Sequence, residues 1–217
     1  MSRTIKYLIN EGIPFTFILI YLVGLVFFFV PFTRDLFIFI TPYTLVLVTV
    51  AIFSHHKEWN KQTIAVLASI FIISSAIEII GVATGEIFGD YYYGTGLGVK
   101  IAGVPILIGL NWIFLVYASN GIVSKYTSNN ILIVVGAALL MLVYDIVLEK
   151  AAPLMDMWAF SENNPPLSNY VMWFLLALLF NALLQAFKVR TINTSARWLF
   201  FSQLAFFSII VGQYLFF

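Results

Sequence analysis

Apolar residues run along this chain in long blocks, each closed by a short polar or glycine-containing break. About 20 apolar residues coiled as a helix match the thickness of a bilayer core. Seven blocks qualify, at roughly 13–32, 36–54, 62–84, 103–119, 130–149, 168–187 and 196–217. The breaks carry charge or turn-forming residues. They are Thr33-Arg34-Asp35, the run from His55 to Lys61, a Gly/Tyr stretch, Ser119-Asn120-Gly121, Ser161 to Pro166, and Lys188 to Arg197. The pattern predicts an all-α fold, a polytopic membrane bundle of about seven transmembrane helices. A re-entrant or interfacial Gly/Tyr-rich segment follows the third helix. No internal repeat is visible and no soluble domain fits between spans, so residues 1–217 read as a single integral membrane domain.

Composition supports this reading. The chain is 62% hydrophobic and 10% charged, against roughly 25% charged residues in soluble domains. A net charge of +1 provides no field for binding nucleic acid. With no cysteine there is no disulfide, thiolate nucleophile or cysteine-based metal site. The polar first ten residues lead into a full-length apolar block with no small-residue cleavage pattern, so no removable signal peptide is expected. Arg3, Lys6, Lys57, Lys61, Lys125, Lys188, Arg190 and Arg197 fall on the N-terminal side of the seven-span arrangement, against Arg34, Lys100 and Lys150 on the other. The positive-inside bias then predicts a multi-pass protein of the cell (inner) membrane, N-terminus cytoplasmic and C-terminus outside. Most acids gather towards the non-cytoplasmic side, with Glu78 inside the third span.

The main anomaly is the stretch from Glu78 to Trp112, which holds three carboxylates (Glu78, Glu86, Asp90), three consecutive tyrosines and eight glycines. An acid within a span is costly and marks a candidate functional site. Gly81 and Gly85 follow Glu78 at helical spacing, permitting close approach of a neighbour or ligand. The glycines from Gly89 to Gly103 disfavour a regular helix. Irregular backbone at membrane depth is tolerated where it is buried in protein or lines a cavity. The alternative for Tyr91, Tyr92 and Tyr93 is an ordinary interfacial belt.

Two further groups stand out. Asp145 and Glu149 are four apart and share a helix face near the end of the fifth span. Paired carboxylates in a low-dielectric site can leave one protonated as a general acid, whereas Lys150 reads as a solvated helix-end charge. The segment from Asp156 through Trp158 and Phe160 to Trp173 looks like a structured loop entering the sixth span, with Ser168 or Asn169 as a candidate cap. Its aromatics form either an interfacial belt or a pocket wall whose ring faces tolerate a cation. His55-His56 has no acids at ligand spacing and reads as solvated. No acidic pair for magnesium-diphosphate chemistry, no histidine cluster for di-iron and no phosphate-binding glycine loop is present.

At these residues the chain resembles the carotenoid 1,2-hydratase family. One matching block contains Glu78, Gly81, Gly85, Phe88-Gly89-Asp90-Tyr91, Tyr93-Gly94, Leu97-Gly98, Gly103-Val104-Pro105 and Trp112. The other contains Asp145, Leu148-Glu149, Asp156, Trp158, Pro166, Asn169-Tyr170 and Trp173-Phe174. Together the blocks span about half of the chain. Lys150 stands where the family pattern has proline, and Phe160 near where it has a second tryptophan. The resemblance implies addition of water to the terminal double bond of an acyclic carotenoid end group, with a lipophilic carotenoid and water as partners in the bilayer and no cofactor.

Such a reaction needs a proton donor, a lining that tolerates a tertiary cation, and a controlled water. Glu78, Asp90, Asp145 and Glu149 are the candidate acids and water-positioning groups, with protonated Glu78 or Asp145 as the expected donor. Tyr91, Tyr93, Trp112, Trp158 and Trp173 are the candidate lining, and Asn169 is a further substrate-binding candidate from the second block. Two rivals stand beside this reading: an end-group cyclase or isomerase that begins with the same protonation, and a seven-span carrier or lipid-binding protein.

Overall fold

A computed structural model describes residues 3–216, with side chains from residue 15 to residue 215. The side chains of Arg3 and Lys6, used in the charge count, and the terminal Phe217 lie outside the described residues. Seven helices follow the predicted order: α1 (Arg3–Phe29), α2 (Pro31–Ser54), α3 (Lys61–Thr84), α4 (Ile106–Val123), α5 (Asn130–Ala151), α6 (Leu167–Ala186) and α7 (Thr194–Phe216). Of these, α2 to α7 are each long and apolar enough to cross a membrane. The protein is a multi-pass, all-helical membrane bundle.

Local chemistry sets several helix boundaries. The Asn60 side chain accepts from the Thr63 N–H at 2.8 Å and starts α3. Asn129 accepts from the Ile131 and Leu132 N–H groups and starts α5. Pro31 occupies the first turn of α2, where its missing N–H costs nothing. Large apolar side chains project outward, among them Phe32, Phe39, Leu47, Ile72 and Leu175, as a lipid-facing surface requires.

The centre of the bundle is α4. It packs against α2, α3, α5, α6 and α7, and its residues from Trp112 to Ile122 are all buried. This corrects the predicted break at Ser119-Asn120-Gly121, because α4 continues through it to Val123. Burial is tolerated since the Asn120 side chain is satisfied. It donates to Asn181 Oδ1 (3.0 Å) and accepts from Gln185 Nε2 and Thr191 Oγ1 (both 2.9 Å). The chain reverses only after Ser124. His56 is also corrected: it is buried, and its Nδ1 is hydrogen-bonded to the Tyr117 hydroxyl at 2.8 Å.

The Gly/Tyr stretch is non-helical, as expected, but it contains strands that the apolar pattern did not announce. Strand β1 (Tyr91–Tyr93) is followed by the short pair β2 (Lys100–Ile101) and β3 (Val104–Pro105). After α5, a 3-10 turn (Ala152–Met155) leads to β4 (Trp158–Phe160), which pairs antiparallel with β1. The register sets Tyr91 opposite Phe160 and Tyr93 opposite Trp158. Alternation along a strand turns these four rings inward, while Tyr92 is 61% exposed. Asp156 anchors the approach to the ribbon by accepting from the Thr95 backbone N–H at 2.8 Å.

Packing around α4 is tight enough to forbid a methyl group. A Cβ on Gly121 would collide with the Thr191 carbonyl oxygen, whereas one on Gly212 would meet nothing within 4 Å. Gly121→Ala should therefore lose about 1–3 kcal/mol of stability, and Gly212→Ala none. Thermal unfolding of both variants in detergent checks this contrast.

Candidate functional site

Three carboxyl groups sit inside the bundle near the ribbon end. Glu78 lies late in α3, and Asp145 and Glu149 lie late in α5; their exposures are 4%, 0% and 4%. Each has a different hydrogen-bonding environment.

Glu78 is held by three donors. The hydroxyls of Tyr91 and Tyr93 donate to its Oε2 at 2.7 and 2.9 Å, and the Trp112 indole N–H donates to Oε1 at 3.2 Å. Two donors come from β1 and one from α4, so the ribbon and the central helix meet on this residue. Gly81, one turn further along α3, leaves room for the Phe88 ring, whose Cδ2 would lie 2.7 Å from any Cβ there. Glu149 is held by two donors, one on each oxygen: the Trp158 indole N–H and the Asn169 amide, both at 2.9 Å. That contact also explains why Asn169 does not cap α6. Pro166 occupies the cap position, and neither Ser168 nor Asn169 makes a side-chain cap.

Glu78 and Glu149 face one cavity of about 20 Å³. Tyr91, Tyr93, Trp112, Trp158, Asn169 and Trp173 line it as well. The sequence candidates thus converge, with two exceptions. Asp90 is exposed outside the cluster, where it accepts from the Ser161 hydroxyl at 2.8 Å and pins the end of the ribbon. Asp145 lies one turn behind Glu149, within electrostatic reach of both glutamates but off the cavity wall. Neither of its oxygens has a hydrogen-bond partner among the described residues.

Four further residues complete the wall: Phe88, Ile108, Asn111 and Phe160. Phe160 arrives through strand pairing, which helical periodicity does not reveal. Asn111 could have been noticed as an amide next to Trp112 in an apolar span. The rings interlock, with Trp112 and Trp173 stacked at 4.2 Å and 23°. Tyr91 meets Phe160, and Tyr93 meets Trp158. Chemically, the arrangement presents two anchored carboxyl groups to a small aromatic-walled space. Among the described residues, no group of three or more His, Cys, Asp or Glu has the geometry to hold a metal ion.

Residues 36–216 match the family model described as carotenoid biosynthesis protein, and the chain belongs to that family. No curated protein and no solved structure matches the chain at a significant level.

Burial pushes the Tyr91 and Tyr93 phenols above their ordinary range, and the neighbouring Glu78 carboxylate raises them further. Both should stay protonated where free tyrosines ionise, near pH 10. Alkaline absorbance titration of the protein and of its Tyr91→Phe/Tyr93→Phe variant should give the same tyrosinate increment up to about pH 11.

Proposed function

We propose that this carotenoid biosynthesis protein is a hydratase, adding water across the terminal 1,2 double bond of an acyclic carotenoid end group. The observation that carries the reading is two anchored carboxyl groups facing one aromatic-walled cavity of about 20 Å³. A single water needs roughly 10–15 Å³ measured this way, so the cavity as it stands has room for one water beside the two acids, and the carotenoid end group requires its wall to open further.

The proposed sequence conserves atoms and charge. A carboxylic acid gives its proton to C2, the π electrons form the new C–H bond, and positive charge develops on the tertiary C1. Ring faces of Trp112, Trp158 and Trp173 stabilise that charge. The water oxygen bonds to C1, and its proton passes to the second carboxylate. Transfer of a proton back to the first carboxyl resets the site.

Hydrogen bonding supports a division of labour. Glu78 accepts from three donors, the setting that best supports an anion, so it receives the proton of the attacking water. Glu149 has two donors and is the donor to C2. This assignment differs from the sequence expectation, which named Glu78 or Asp145 as the donor. Asp145, which has no hydrogen-bond donor of its own, serves as the proton store one turn behind Glu149. The substrate enters sideways from lipid. The N-terminus lies in the cytoplasm of a cell-membrane protein, with the cavity towards the opposite side.

Co-expression with a pathway that makes acyclic-ended carotenoids, followed by mass analysis, tests the reading. The chain should add the mass of one water. Glu78→Gln and Glu149→Gln should each lower the hydrated product by about 10²-fold or more. Full hydration by both variants would defeat the assignment, and a ring-closed product of unchanged mass would make the protein a cyclase instead.

A further inference from the structure

We propose a second ligand site, for a phosphate-bearing molecule, at the opposite end of the bundle from the carboxylate cavity. α5 and α6 run between the two places. Glu149 and Asn169 lie at one end of this pair, while Asn130 and Gln185 line a hollow of about 580 Å³ at the other. An α-helix the length of α5 spans roughly 33 Å, so the hollow is separate from the proposed reaction site.

The chemistry of the hollow is that of an anion site. Lys57, Lys188 and Arg190 line it against a single acid, Glu58. Glu58 pairs with Arg190, while Lys57 and Lys188 have no ion-pair partner among the described residues. The Thr127 hydroxyl adds a neutral donor, while those of Ser124 and Thr191 are already given to Asn120 Oδ1. His56 also lines the hollow. It is 6% exposed, its Nδ1 is engaged by Tyr117, and its buried Nε2 has no partner among the described residues. A buried ring nitrogen without a partner is costly, and the place of His56 in the wall makes its ring a reporter of what occupies the hollow.

The site is built, not a chance gathering of surface lysines. Asn120 ties Thr191 to α4, and Gln185 and Asn181 join the same buried network. Asn193 donates to the Ile52 carbonyl at 2.8 Å, fixing the α6–α7 connection against the end of α2. Lys188 stands at φ +50°, a left-handed conformation that favours glycine. That conformation ends α6: the Val189 N–H returns to the Leu184 carbonyl at 2.9 Å and so fixes where Lys188 projects from the helix end. Phosphate suits the hollow because it presents several oxygens at once to ammonium, guanidinium and hydroxyl donors.

The purified full chain provides the test, in two arms. In the first, native mass spectrometry compares lipid retained from nanodiscs of phosphatidylcholine alone with nanodiscs that also contain phosphatidic acid. In the second, the detergent-solubilised chain is titrated with inorganic phosphate while NMR follows the His56 ring, His55→Gln supplying the assignment. We expect selective binding in at least one arm, weakened roughly tenfold in Lys57→Gln/Lys188→Gly. Glycine relieves the backbone at 188, so this variant should keep the wild-type melting temperature. Binding of phosphatidic acid alone identifies a lipid headgroup as the ligand, and a response to inorganic phosphate identifies a soluble one. Equal retention of both lipids with no phosphate effect at His56 overturns the proposal, and so does undiminished binding by the double variant.

Discussion

A carboxyl group taken into a membrane bundle has to find donors within the protein, because hydrocarbon supplies none. At the centre of a span the cost of an acid is at least about 2.5–3.5 kcal/mol. One hydrogen bond to a charged group returns about 1.5–3 kcal/mol. Glu78 gathers three donors, from Tyr91, Tyr93 and Trp112, and much of the surrounding structure follows from that demand. The two hydroxyls come from the same side of a strand, so the backbone is extended where a helix would have continued. The strand needs a partner for its own N–H and C=O groups, and β4 supplies it. Phe160 and Trp158 are then carried to the cavity by that pairing.

Glu149 repeats the principle with different parts. Its two donors come from β4 and from the first turn of α6. The two glutamates therefore connect α3, α4, α5, α6 and the ribbon through side-chain hydrogen bonds around one small space. Asp145 departs from this principle. Donors are within reach of its neighbours, yet it has none of its own among the described residues, an arrangement hard to explain by stability alone.

The spans were legible because the physics behind them is one-dimensional: length and apolarity decide whether a segment crosses. Glu78, Glu149 and the aromatic wall were legible because such residues are conspicuous in an oily background, and the family pattern tied the two blocks together. Proximity in space was not readable to the same depth. Asp90 sits beside Tyr91 in sequence, but it lies beyond the inward-facing part of the strand and meets Ser161 outside. Asn120 and Gly121 have turn-forming composition. Only the partners Asn181, Gln185 and Thr191, brought in by folding, make them core residues of α4. His56 was misread for the same reason: Tyr117 is 61 residues away along the chain.

The burial of α4 also sets a schedule for assembly. Chains enter the membrane from the N-terminus, so α4 is made before most of the wall that encloses it. Thr191, which closes the contact with Asn120, follows 71 residues later. At about 5–20 residues per second that is a delay on the order of 4–14 s. During this interval the Asn120 amide has neither its final partners on α6 nor a comfortable place in lipid, and the Trp112 ring lacks its stacking partner Trp173. The newly inserted helix must then wait beside the insertion machinery, or against α2 and α3, until α6 and the segment after it arrive. The same polar residues that give the finished bundle its rigid axis thus make its biogenesis a matter of timing.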